Sequence, residues 1–81
     1  MKTIFIYGGA LSKAVQLKVD AYDANSGNFT VMDILDLTDD AIQLGLDAMR
    51  NVSSIGEIKD ICSVAGTSAN LIDDKGTTVL V

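Results

Sequence analysis

The chain opens on an apolar, β-branched and aromatic run, Lys2-Thr3-Ile4-Phe5-Ile6-Tyr7, and Gly8-Gly9 halts it. This reads as a strand followed by a sharp turn. The next segment carries two periods at once. Val15, Leu17, Val19 and Ala21 alternate with Gln16, Lys18 and Asp20, which is a strand pattern. Leu11, Ala14, Val15, Val19 and Tyr22 recur at helical spacing, and Ser12 is placed to cap such a helix. Length and alanine content favour the helix, and the strand stays open as the alternative. Asn25-Ser26-Gly27-Asn28 is a turn under either reading. Residues 29–35 then form a strand with apolar groups on both faces, Phe29, Val31 and Leu35 against Met32 and Ile34, as a doubly covered central strand would. Asp33 interrupts that pattern.

Thr38-Asp39-Asp40 reads as a helix start with acids in the first turn, where the helix dipole favours them. Ile42, Leu46 and Met49 supply its buried stripe, Arg50-Asn51 close it, and Gly45 sits unexplained inside it. Ser54-Ile55-Gly56-Glu57 is a capping box. The helix it opens carries Ile55, Ile58, Ile61, Cys62 and Ala65 on one face and stops at Gly66. Two last runs, residues 69–72 and 77–81, flank the hairpin loop Asp73-Asp74-Lys75-Gly76. The predicted order is β-α-β-α-α-β-β. This is an α/β fold in which a right-handed helical crossover joins a parallel pair and a terminal hairpin completes a four-stranded mixed sheet. If residues 14–23 are a strand instead, the first half becomes a three-stranded antiparallel meander.

At 81 residues the chain is a single domain. A hydrophobic fraction of 48% excludes intrinsic disorder, and no apolar run is long enough to span a membrane as a helix. A net charge of −5 and a pI near 4.2 argue against nucleic acid as a partner. With no His and one Cys, zinc sites and Cys/His catalysis lack ligands and bases. The lone Cys62 cannot form an internal disulfide and suits a reducing, cytoplasmic compartment. Residues 2–7 with Ala10 and Ser12 mimic a signal peptide, but Gly8-Gly9 break the apolar stretch and the strand reading is preferred. Asn28 and Asn51 stand in glycosylation sequons that mean nothing without secretion.

The element order, with Lys-Thr-Ile-Phe-Ile-Tyr at the start and Ser63-Val64-Ala65-Gly66-Thr67-Ser68-Ala69-Asn70-Leu71-Ile72-Asp73 near the end, resembles the glutaredoxin branch of the thioredoxin-like family. That resemblance implies a thioredoxin-like sheet, here truncated after the last hairpin. It also locates the departures. Gly8-Gly9-Ala10-Leu11-Ser12 stands where the family keeps Cys-x-x-Cys, and Ser68 falls on its cis-proline position. Thiol–disulfide exchange needs a thiolate at that loop, and a serine hydroxyl cannot replace it. The implied scaffold lacks its redox chemistry, so no catalytic residue and no cofactor is expected.

Other constellations are weaker. Gly8, Gly9, Ser12 and Lys13 could hold one anionic group on free amides at a helix start, although the full phosphate-loop pattern is absent, and Thr67 and Ser68 are further candidate binding residues. Cys62 reads as a small buried hydrophobe. Asp33, Asp36, Asp39 and Asp40 are the densest acids, but their spacing matches no metal loop, so no metal site is expected. Residues Thr77, Thr78, Val79, Leu80 and Val81 form an edge strand with no charge or proline to blunt it. These features predict a non-enzymatic, acidic protein-binding module whose partner is another protein or a second copy, with no nucleic acid and no membrane. By analogy of size, acidity and lack of proline, it resembles phage-encoded host modulators. A glutathione- or thiol-handling protein using Ser12 and Thr67 is the enzymatic alternative, and a structural α+β protein with the N-terminal meander is the third.

Overall fold

The computed structural model describes residues 2–81. Its elements are β1 (Lys2–Tyr7), β2 (Val15–Asp20), β3 (Thr30–Leu35), α1 (Asp39–Gln43), a 3-10 helix (Leu46–Asn51), α2 (Ile55–Ala65), β4 (Ser68–Asp73) and β5 (Gly76–Val79). The strands form one sheet in the order β3-β2-β1-β4-β5, and every neighbouring pair is antiparallel.

This overturns the α/β, four-stranded mixed sheet expected from the sequence, and with it the thioredoxin-like scaffold. The decisive segment is residues 15–20, a strand and not a crossover helix. The double glycine turns the chain back on itself, with the Leu11 amide donating to the Gly8 carbonyl at 3.2 Å. β2 therefore lies antiparallel to β1, with Ile4 opposite Leu17 and Ile6 opposite Val15. Val15, Leu17 and Val19 are fully buried while Gln16, Lys18 and Asp20 face away. A helix would have split those three apolar residues around its axis. A strand places all three on one face, opposite partners that complete the core.

β3 departs from expectation in a related way. It is an edge strand with one open face, not a doubly covered centre, and Met32 is 54% exposed. A register shift between Lys18 and Val19 leaves an irregularity in the β2–β3 ladder beside Met32. The single helix expected over 38–51 is broken in two. Gly45 adopts φ +83°, a left-handed conformation that ends α1, and the 3-10 helix begins at the next residue. The helix at 55–65 forms as read. The Ser54 hydroxyl accepts from the Glu57 amide at 3.3 Å, the Glu57 carboxylate accepts from the Ser53 amide at 3.0 Å, and Gly66 closes the helix in a left-handed turn.

The three helical segments cover one face of the sheet. Ile4, Ile6, Val15, Leu17, Val19, Ala69 and Leu71 point into that layer and meet Ala41, Leu46, Met49, Ile58 and Cys62. Among the described residues no helix covers the opposite face, which carries Phe5, Tyr7, Ile72 and Val79. Among the described residues no helix is long and apolar enough to cross a membrane.

Candidate functional site

The loop after β1 and the chain after α2 come together, which sets Gly9 against Gly66 and Thr67. Tyr7 lies opposite Ser68 in the β1–β4 ladder. A Cβ on Gly9 would stand 2.6 Å from the Gly66 carbonyl oxygen and 3.6 Å from Thr67 Cγ2. The approach is backbone against backbone, which only glycine permits.

The same geometry removes the helix start on which the anion site was read. No helix starts at Ser12, so no fan of free amides exists there. The Ser12 amide instead donates to Asp40 Oδ2 at 2.9 Å, and Lys13 Nζ lies 3.8 Å from Asp36 Oδ1. The chain's own carboxylates hold the groups that would have received a ligand. Asp40 also accepts from the Thr38 hydroxyl and from the Ala41 amide. The Thr38 hydrogen bond, followed by those from Ser12 and then Ala41, holds the Asp40 carboxyl down to about 2. At neutral pH it is a fixed anion that ties the loop to α1, with no proton to give. Among the described residues no three Cys, Asp or Glu side chains converge as metal ligands would.

Thr67 and Ser68 diverge in role. Ser68 is half-buried at the start of β4. Thr67 is 7% exposed, and its hydroxyl has no hydrogen-bond partner. It lies beside the Cys62 thiol, which burial pushes above its ordinary range. Cys62 is fully buried and protonated at neutral pH, and nothing here activates it as a nucleophile.

The edge residues give the more informative geometry. β5 covers Gly76–Val79, and all four residues are exposed, Val79 by 72%. Beyond it the strand expected over 77–81 stops short at Val79, Leu80 packs on the core, and the Leu80 and Val81 amides both donate to the Ala69 carbonyl, at 2.9 and 3.2 Å. The Leu80–Ala69 bond sets the phase of the ladder. Leu71 opposes Thr78 and Asp73 opposes Gly76, so those pairs carry the hydrogen bonds of the β4–β5 hairpin. The backbone N–H and C=O of Thr77 and Val79 therefore point away from the sheet. The other edge, β3, is blunted by its ladder irregularity and by Asp33.

Two shallow grooves were not visible in the sequence. One, of about 300 Å³, lies between Leu44-Gly45 and the α2 residues Asp60, Ile61 and Val64. The other, of about 180 Å³, runs along Val31–Ile34 with Arg50 beside it. The only sequence signal for the first is Val64, three residues from Ile61 and outside the buried stripe, and 90% exposed. Comparison with known proteins gives no match: no family model, no curated protein and no solved structure aligns with this chain.

Proposed function

We propose that this chain is a small, non-enzymatic protein-binding module of the cytoplasm that receives a strand along β5. The observation that carries this reading is the outward row of backbone groups on Thr77 and Val79, in an edge strand with no charge, proline or covering segment. Edges left in this state pair with other chains. Main-chain hydrogen bonds would supply the affinity. The open face beside the edge, where Val79 neighbours Asn70 and Ile72, would read alternate side chains of the incoming strand.

Proline substitution separates this site from the fold. At Thr77 or Val79 it removes only an outward donor, whereas at Thr78 it breaks the hairpin itself. Tagged wild-type protein in a native cell extract is expected to recover a partner that Val79→Pro and Thr77→Pro both lose, while Val64→Lys, on the helical face, keeps it. If the two proline variants recover the same partner as wild type, β5 is not the binding element.

A further inference from the structure

We propose that the groove between Leu44-Gly45 and α2 is a docking site for a basic segment of another protein, one that presents a bulky apolar side chain between Lys or Arg residues. The site lies on the helical layer and is independent of the strand-acceptor reading of β5. Its walls are apolar and its rim is acidic. Leu44, Gly45, Ile61 and Val64 line about 300 Å³ of open space, and Asp60 is the charged residue among its walls. Gly45 contributes no side chain, and a Cβ there would meet nothing within 4 Å, so that end of the groove stands open. Val64 is 90% exposed, on a helix that turns Ile58 and Cys62 fully inward. Its isopropyl group does nothing for the core and is free to pack on an incoming side chain. The space admits one or two large apolar groups.

Charge selects the occupant. Glu57, Asp60, Ile61 and Val64 follow one another along one flank of α2 at spacings of three and four residues. Lys59 is the single base of that helix, and it stands roughly 150° around the axis from the middle of this flank. Arg50, the other base of the helical layer, lies beside Val31–Ile34 at the β3 edge. Among the described residues the ion pairs are Lys2–Asp73 and Lys13–Asp36, so neither Glu57 nor Asp60 has a basic partner. Residues 39–65 hold five acids against two bases, which places three of the net five negative charges on this layer. A second copy meeting here face to face would set Glu57 and Asp60 against their own like, and an anionic lipid surface would meet the same repulsion. An uncharged segment fills the groove and gains nothing from the rim. Lys and Arg answer both features, since their stems lie along apolar surface while their heads reach the carboxylates. A seat this small holds its partner weakly, and more weakly as salt rises.

Peptide titration followed by amide NMR tests the site. The probe is an amidated peptide with a central phenylalanine between lysines, set against versions with glutamate for lysine or alanine for phenylalanine. Shifts are expected to centre on Leu44, Gly45, Asp60, Ile61 and Val64, and both altered peptides are expected to bind roughly tenfold or more weakly. Asp60→Lys, at an exposed position, is expected to weaken the lysine peptide by roughly tenfold and to strengthen the glutamate one. Asp20→Lys changes the net charge equally on β2 and is expected to move either affinity by no more than about twofold. Val64→Ser is expected to keep the fold and weaken the phenylalanine peptide, and Val79→Pro is expected to titrate as the wild type does. Equal affinity for the lysine and glutamate peptides, or equal effects of Asp60→Lys and Asp20→Lys, overturns the charge selection. Shifts centred elsewhere, or none at millimolar peptide, overturn the placement. A light-scattering mass above 8.5 kDa that Val64→Ser returns to the monomer makes a second copy the occupant and overturns the basic partner. Failure here leaves the β5 reading in place, because that reading is decided by partner capture with its own proline variants.

Discussion

Replacing Gly9 by alanine probes the contact that brings the first loop against the end of α2, and Gly45 supplies the control. Both glycines have positive φ, +57° at Gly9 and +83° at Gly45. Alanine in that region costs roughly 1–2 kcal/mol at either position. Both substitutions also remove the same glycine freedom from the unfolded chain. They differ in what the new methyl meets. At Gly45 there is nothing within 4 Å, whereas at Gly9 the Gly66 carbonyl oxygen lies at 2.6 Å. That oxygen belongs to the residue closing α2, and the next amide, of Thr67, donates to the Cys62 carbonyl at 3.0 Å. Relief of the overlap must therefore disturb the helix cap or the start of the β1–β4 pairing, at a cost of about 1–3 kcal/mol by analogy with overpacked cores. Gly9→Ala is thus expected to lose about 2–5 kcal/mol and Gly45→Ala about 1–2 kcal/mol. Urea unfolding followed by circular dichroism measures both, with the slope unchanged and only the midpoint moved. In a domain of this size each kcal/mol lowers Tm by about 4–8 °C. If Gly9→Ala falls within about 0.5 kcal/mol of Gly45→Ala, the close approach argued here is absent.

Three further outcomes follow from the geometry. Ser54→Ala removes the hydroxyl that caps α2 and is expected to cost about 1 kcal/mol in the same urea assay, whereas Ser63→Ala, on the exposed side of that helix, changes little. The carboxyls of Asp40, Asp23, Glu57 and Asp73 are all held below their ordinary values, the first by the Thr38 hydroxyl and the others chiefly by backbone amides of Asn25, Ser53 and Lys75. Depressed carboxyls stabilise the fold above their unfolded values and lose that contribution as they protonate. Stability is therefore expected to be level above about pH 5 and to fall from about pH 4 towards 2, with a carbon-detected titration of Asp40 centred at about 2. Thr67→Val replaces a buried, unpartnered hydroxyl by a methyl of similar shape and is expected to stabilise by about 1 kcal/mol, while Cys62 stays inert to a thiol-specific disulfide reagent until the chain unfolds.

What could be read from the sequence was what its local chemistry decides. Ser54 and Glu57 satisfy orphan amides within a single turn, so α2 and its stop at Gly66 were legible. The hairpin around Asp74-Lys75 was legible for the same reason. Residues 15–20 were not, because Val15, Leu17 and Val19 satisfy both periods, and the choice falls to Ile4 and Ile6 of a neighbouring strand. The preference for a helix there carried the parallel crossover and the thioredoxin-like sheet with it. Gly45 looked like a blemish in a helix because its left-handed turn leaves no signature apart from glycine itself. At the candidate site, the absence of charge over 77–81 marked the edge. The inward turn of Leu80 and the phase that turns Thr77 and Val79 outward depend on pairing with Ala69. The capture of the Ser12 amide by Asp40, twenty-eight residues away, was equally invisible.

Amide hydrogen exchange along β5 tests the binding edge most directly. In dilute, isolated protein the Thr77 and Val79 amides are expected to exchange as open groups while that of Thr78, bonded within the hairpin, is protected. In a captured complex, Thr77 and Val79 are expected to become protected together. Thr77 and Val79 amides that stay open in the assembled state would contradict the account.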